Sequence, residues 1–240
     1  KPSRGQLASR EAGPPPPVDI SVNHAVTISV RDSINLFRMA QVNDGTFTPL
    51  GNLTPLTRRL RIGYAPESVS GTPVAPETRA ALDEVAQLCR DLGHDVVDFT
   101  PPMDGIGPDI VEPWTLGLAA RAQARQAEMP ATIGYLLAFE QQYNAWFDSM
   151  DLMLSPVTGS PAVHIGDQAP DGDFDKVMES VLNFAAFTAP MNVAGSASMS
   201  VPLSWSPSGL PIGSMFSGKK GDDALLFELA LELEAARPLA

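Results

Sequence analysis

The chain has 240 residues, 44% hydrophobic and 18% charged, and its 16 Lys and Arg against 28 Asp and Glu give a formal net charge of −12. That composition suits a globular interior and excludes a disordered tail, while the acidic balance argues against general affinity for nucleic-acid backbones or anionic membrane surfaces. A lone cysteine, Cys89, excludes an internal disulfide framework and any cysteine-based zinc site.

Residues 1–20 read as loop, with Pro14 to Pro17 a stiff surface connection. A helix is predicted at 30–41, capped by Ser29 with Asp32 three residues on, and with Ile34, Leu36, Phe37 and Met39 as its apolar positions. Leu60 to Ala65 reads as a short strand. The helix predicted at 76–92 opens on Pro76 and Glu77 and repeats Ala81, Leu82, Val85, Leu88, Cys89 and Leu92 at helical spacing, with Gly93 as its terminator. Cys89 therefore reads as a small core residue. With Asp95–Phe99 as the next strand, residues 59–100 form a βαβ unit, so a parallel pair is expected.

Two helical segments follow at 114–127 and 132–147, split by Met129-Pro130. Asp151–Leu154 reads as a buried strand ending at Pro156. Residues 156–172 read as loop, and a helix is predicted around 173–186, with Asp171, Asp173 and Asp175 as its N-terminal charge. The runs Ser198–Trp205 and Leu210–Phe216, joined by Ser206-Pro-Ser-Gly209, predict a β-hairpin, and the prolines within them suggest bulges or edge positions. A terminal helix starts at Asp222 or Asp223 and turns Leu225, Leu226, Leu229 and Leu233 to the core.

Chemistry-bearing motifs are scarce. Gly218-Lys-Lys-Gly does not match a phosphate-binding loop, no G-x-G-x-x-G opens a helix, and no G-x-S-x-G elbow occurs. His24, His94 and His164 lack helical metal-ligand spacing, and each suits a structural or solvated role; His94 follows Gly93, where a helix dipole favours a cation. No metal or cofactor is expected. No apolar run reaches the length of about 18 residues that a membrane span needs, and Lys1 and Arg4 lead into proline-rich sequence rather than an apolar signal segment. A cytoplasmic location and no membrane partner are the resulting expectations. The small-residue stretch Ala194–Ser198 fits either tight packing or a backbone-lined pocket.

Several segments, in order, resemble the C-terminal half of the amidase signature family of serine amidases. They are Lys1-Pro-Ser-Arg-Gly5, His24–Asp32, Leu60–Gly63 with Pro76–Gly93, Asp151–Pro156, and above all Phe187–Val201 with Gly209–Gly213. The resemblance implies an α/β fold with a mixed β-sheet core flanked by helices, incomplete in this chain. Residues 1–240 would be the C-terminal portion of a single domain, with the helix end, hairpin and terminal helix at 187–236. It also implies hydrolysis of carboxylic amides through a Ser–Ser–Lys triad, a weak hydroxyl nucleophile activated by a neighbouring base.

This chain departs from the family where the chemistry sits. It has no Gly-Gly-Ser-Ser-Gly-Gly stretch, and Lys219 and Lys220 do not match the family's lysine. No catalytic residue is therefore assigned. What the resemblance implies here is the pocket wall: Thr158, Phe187, Met191, Asn192 and Ser196, with Tyr135 as a further candidate, although each also suits plain packing. The expected partner is the N-terminal half of the same amidase, as a separate chain or a removed segment, alongside a small amide substrate and a possible second copy of the chain. The alternative readings are part of an amidotransferase that acts on charged tRNA, and a non-catalytic binding domain.

Overall fold

The computed structural model of the chain describes residues 1–8, 23–69, 71–102, 129–169 and 171–238. The proline run at 14–17 and the helical segment expected at 114–127 lie outside these residues. Among the described residues five strands form one mixed sheet: β1 (Arg61–Tyr64), β2 (Asp95–Asp98), β3 (Leu152–Pro156), β4 (Ser198–Trp205) and β5 (Pro211–Ser217), in the order β2-β1-β3-β5-β4. β1 runs parallel to both β2 and β3, with Ile62 opposite Val96 on one side and Leu152 on the other. β5 is antiparallel to β3 and β4.

Six helices are described: α1 (Val30–Ala40), α2 (Pro76–Asp91), α3 (Met129–Trp146), α4 (Phe174–Phe184), α5 (Ala189–Ala194) and α6 (Asp223–Ala236). Their sequence signals explain most of their ends. The Ser29 hydroxyl accepts the Asp32 N–H at 3.2 Å at the start of α1, and the Asp173 carboxylate caps α4 through the Lys176 N–H at 3.1 Å. Pro76 sits in the first turn of α2, where its missing N–H leaves no bond unmade. Met129 and Pro130 lie within α3, and the segment from which they were expected to split it is outside the described residues.

The sheet is covered on both faces. On one, α2 and α6 bury Leu82, Val85, Cys89, Leu226, Leu229 and Leu233 against Ile62, Leu152, Leu154 and Phe216. On the other, α3 and α5 bury Phe139, Tyr143, Trp146, Met191 and Val193 against Met153 and Met215. The period-2 alternation of strand side chains divides the residues between the two faces. Burial pushes the Cys89 thiol up to about 12, with the Glu232 charge adding to it, so this cysteine is inert packing.

α1 is the partial exception to its apolar pattern. Val30, Ile34 and Phe37 are buried, but Leu36 and Met39 face outward, Met39 at 83% exposure. A single helical stripe against α6 has room for only one side of α1. The hairpin forms as expected. Its register shifts between Val201 and Ser204, around Pro202, which has no N–H to place in a ladder.

Candidate functional site

The parallel strands β1, β2 and β3 all end at one edge of the sheet. From β1 the chain turns to the α2 face; the helix that follows β2 among the described residues, α3, packs on the other face. The carboxyl edge is the usual ligand position of such sheets.

Two concavities occupy that edge. The inner one is a pocket of about 20 Å³ walled by Ala65, Trp146, Met153, Phe187 and Met191. That is room for about one water-sized group. Its single charged residue among the described residues is Glu67, held by Arg79 at 2.7 Å. The outer one is a cleft of about 660 Å³, within the range of small-molecule sites. Pro73 to Pro76 form one wall, Gly159 and Ser160 the floor, and the α4 face carrying Lys176, Glu179, Ser180 and Asn183 the other wall.

The floor is fixed by backbone bonds on both sides. The Gly159 N–H donates to the Phe184 carbonyl at 3.1 Å, and the Gly159 carbonyl accepts the Ala75 N–H at 2.8 Å. A Cβ at Gly159 would stand 2.7 Å from the Asn183 carbonyl oxygen, so only glycine lets the loop pass this close to α4. Thr158 donates to the Ser160 carbonyl at 2.7 Å and stiffens the same turn.

The residues expected in the pocket wall separate into groups. Phe187 and Met191 meet in the inner pocket, where both are almost fully buried. Thr158 lies beside the floor of the outer cleft. Tyr135 lies within α3, and its side chain is outside the described residues.

Asn192 and Ser196 belong to a different neighbourhood, a polar seat built on the opening segment. Arg4 donates its backbone N–H to the Gly195 carbonyl at 2.8 Å and its guanidinium to the Asn192 and Val193 carbonyls at the end of α5, and it pairs with Glu140 of α3 at 3.0 Å. Gly195 sits at φ +66°, and a Cβ there would strike the Arg4 side chain at 2.8 Å. Lys1 Nζ donates to the Ser196 carbonyl. Burial, and then the nearby Arg4 charge, hold the Lys1 ammonium down to about 7. Ser3 donates its hydroxyl to Asp223 at 2.6 Å and its N–H to the same carboxylate at 2.9 Å, tying the segment to the first turn of α6.

The histidines stay apart. His24 packs edge-on against Phe37 and His164 is exposed in a loop. His94 is buried: its Nδ1 accepts the Leu60 N–H at 3.1 Å, which leaves Nε2 to donate to Glu232 at 3.2 Å. Its position after α2 suggested a dipole-favoured cation. Burial wins instead and lowers its pKa. Lys219 and Lys220 pair with Asp148 at 3.1 Å and Glu140 at 3.2 Å at the surface.

Sequence reasoning missed the outer cleft. Lys176, Glu179, Ser180 and Asn183 recur at helical spacing, a pattern that ordinarily marks a solvated face.

The family model described as Amidase matches residues 104–227. The chain belongs to the amidase family. The protein designated amidase AmiC of Mycobacterium leprae is 32% identical over 272 residues; the match takes in 100% of this chain and 58% of AmiC. The chain thus spans well under two thirds of that amidase relative. A glutamyl-tRNA(Gln) amidotransferase subunit from Bdellovibrio bacteriovorus is 26% identical, over 77% of this chain and 47% of its own length. Among solved structures, 6-aminohexanoate cyclic dimer hydrolase superposes with a TM-score of 0.75 at 23% identity, covering 99% of this chain and 60% of that one. This amidase-signature fold is the mixed sheet with helices on both faces described above. Among the described residues no helix is long and apolar enough to cross a membrane.

Proposed function

We propose that this chain forms the substrate-pocket side of an amide hydrolase, with the attacking hydroxyl and its base supplied by amidase sequence outside these 240 residues. Membership of the amidase family supplies the reaction class: water is added across a carboxylic C–N bond, releasing an acid and an amine. The observation that carries the assignment of a role is the cleft of about 660 Å³ at the carboxyl edge of the parallel strands. Its floor at Gly159 and Ser160 fixes backbone groups beside the bound molecule, and the α4 polar stripe meets its hydrophilic part. Phe187 and Met191 back the crevice with apolar surface; Thr158 stiffens its floor, and Asn192, Ser196 and Tyr135 are the remaining wall candidates. The partner is the rest of the amidase domain, contiguous with this chain or separate from it.

The test compares the 240-residue chain with a longer protein that carries the remaining family sequence. Both are offered a panel of apolar acyl anilides and a serine-directed fluorophosphonate. The expected result is amine release and labelling by the longer protein alone, with the label outside these residues. A longer protein that neither hydrolyses nor labels overturns the reading. The amidotransferase alternative rests on 26% identity over 77% of the chain, against 32% over all of it for AmiC. Ammonia-dependent transamidation of a charged tRNA without anilide hydrolysis would decide for it.

A further inference from the structure

The wall of the inner pocket carries an unmet hydrogen-bond donor, and it belongs to Trp146. This residue is the last of α3 and is 4% exposed. It borders the pocket beside Ala65, Met153, Phe187 and Met191. Its Nε1–H is buried and meets no acceptor among the described residues. A buried tryptophan N–H ordinarily finds a partner, because burial without one forfeits the bond it makes with water.

The ring is not free to turn towards an acceptor elsewhere. It lies tilted at 45° to Tyr143 with centroids 4.9 Å apart, and it stands edge-on to Phe139 and Phe99 at 6.0 and 6.2 Å. Close packing against three rings holds the indole plane, so packing sets the direction of the donor.

The other polar side chains of the pocket wall are committed. The Ser155 hydroxyl is buried and donates to the Pro156 carbonyl at 3.2 Å. Glu67 is exposed to solvent and bound to Arg79. The remaining described wall is apolar. Water is a poor occupant for such a place, because an ordered water needs about two to four polar partners. Trp146 is the one side-chain donor left open among the described wall residues. An acceptor atom that arrives attached to carbon has no such need. Its skeleton meets the apolar wall, and one hydrogen bond satisfies it.

We propose that Trp146 is a specificity-determining residue, and that the inner pocket takes the tip of an apolar substrate group bearing a single small oxygen acceptor, a ketone or ether oxygen, bonded to Nε1–H. The space of about 20 Å³ admits one such atom and little more. This rests on the reading of the carboxyl edge as the substrate side of an amide hydrolase, and it narrows the substrate class. A hydrocarbon group of the same shape fills the pocket and leaves the donor unmet, which is how a site built around one hydrogen bond discriminates.

The test uses two probes of nearly the same shape, acetophenone and α-methylstyrene, which differ by a carbonyl oxygen against a methylene carbon. Each is measured as a competitive inhibitor of anilide hydrolysis by the longer protein. Each is also titrated into that protein, isotope-labelled at its tryptophan nitrogens, and followed by NMR. Acetophenone is expected to bind tighter on the order of 10-fold, the scale of one buried hydrogen bond made rather than left unmade. The Trp146 indole signal should move with the ketone alone. Trp146→Phe keeps an aromatic ring in place, removes the donor, identifies the signal by its loss, and should make the two probes equal. Equal inhibition of the parent protein overturns the proposal, and so does a preference for the ketone that survives Trp146→Phe. An indole proton in contact with a long-lived water that neither probe displaces also overturns it, and makes the pocket a hydration site. If Trp146→Phe does not fold, the parent protein decides: the proposal is overturned when no indole signal moves with the ketone alone. A longer protein that hydrolyses no anilide counts against the hydrolase reading instead, and the titration still reads the pocket.

Discussion

α2 and α4 begin alike and end up doing different things. Both follow loops rich in proline and glycine, and both carry an acidic residue in the first turn. Yet α2 buries six residues between the sheet and α6, whereas α4 buries none and forms one wall of an open cleft. Local signals establish that a helix forms; they do not say whether its face meets the sheet or a ligand. The fold keeps its cohesion on the α2 side and its concavity on the α4 side, which is where mobile, ligand-facing elements are expected.

Leu82→Ala tests the cohesive side hardest. Leu82 is 1% exposed and packs among Ile62, Val85 and Phe216. Its truncation should cost about 2–5 kcal/mol, the transfer loss plus the cavity left behind. Urea unfolding should show a lower midpoint at an unchanged slope. A loss below about 1 kcal/mol, no more than an average substitution, would mean that α2 is no better anchored than α4.

Gly159→Ala should come next, at about 1–3 kcal/mol for forcing atoms into a filled space. The new methyl would meet the Asn183 carbonyl, a backbone atom that moves only if α4 moves. Loss of amide protection in α4, with α2 protection unchanged, is the expected pattern. Equal loss in both helices would merge the two regions into one cooperative unit.

Much of this arrangement was readable in the sequence, and the unreadable part has a common cause. The periodic run from Ala81 to Cys89 specified α2 and its buried side, and Ser206-Pro-Ser-Gly209 specified the hairpin, because both are local patterns of spacing and turn chemistry. Leu36 and Met39 fit the same kind of pattern and are exposed, since periodicity cannot say how wide the covering surface is. The outer cleft was invisible because it exists only where 73–76, 159–160 and α4 meet. The polar seat likewise joins Arg4 to Asn192, and the sequence pointed to Asn192 and Ser196 without showing that Arg4 and Lys1 would hold their carbonyls.

A smaller effect, but one with a distinctive sign, comes from His94 on the α2 side. It is faced by Glu232 from α6, and the charges of Arg59 and Asp151 also act on it. Burial lowers its folded pKa below the usual value near 6.5. The unfolded chain therefore binds a proton that the native state refuses. The contribution is complete above the unfolded pKa and is lost as pH falls from there towards the folded one. For a single proton the slope cannot exceed about 1.4 kcal/mol per pH unit. Stability measured by urea between pH 7.5 and 5.5 should fall in the parent. His94→Gln, less stable at the upper pH, should have a flatter profile. Parallel profiles would remove His94 from the account.

Asn183→Ala should have the smallest effect on stability and is the most direct probe of what α4 is for. Asn183 is exposed on the cleft wall, and no side-chain hydrogen bond of its own ties it to the fold among the described residues. Removing its amide should change unfolding free energy by no more than about 0.5 kcal/mol, as for surface positions away from caps and cores. Its carbonyl beside Gly159 is main chain and survives the change. If the cleft holds the amide substrate, the same substitution should raise KM for the longer protein without altering its unfolding midpoint. That separation is the difference between α2 and α4 expressed at one residue: a position the fold can spare and the ligand cannot. A variant that unfolds earlier while binding as before would assign α4 to the scaffold instead.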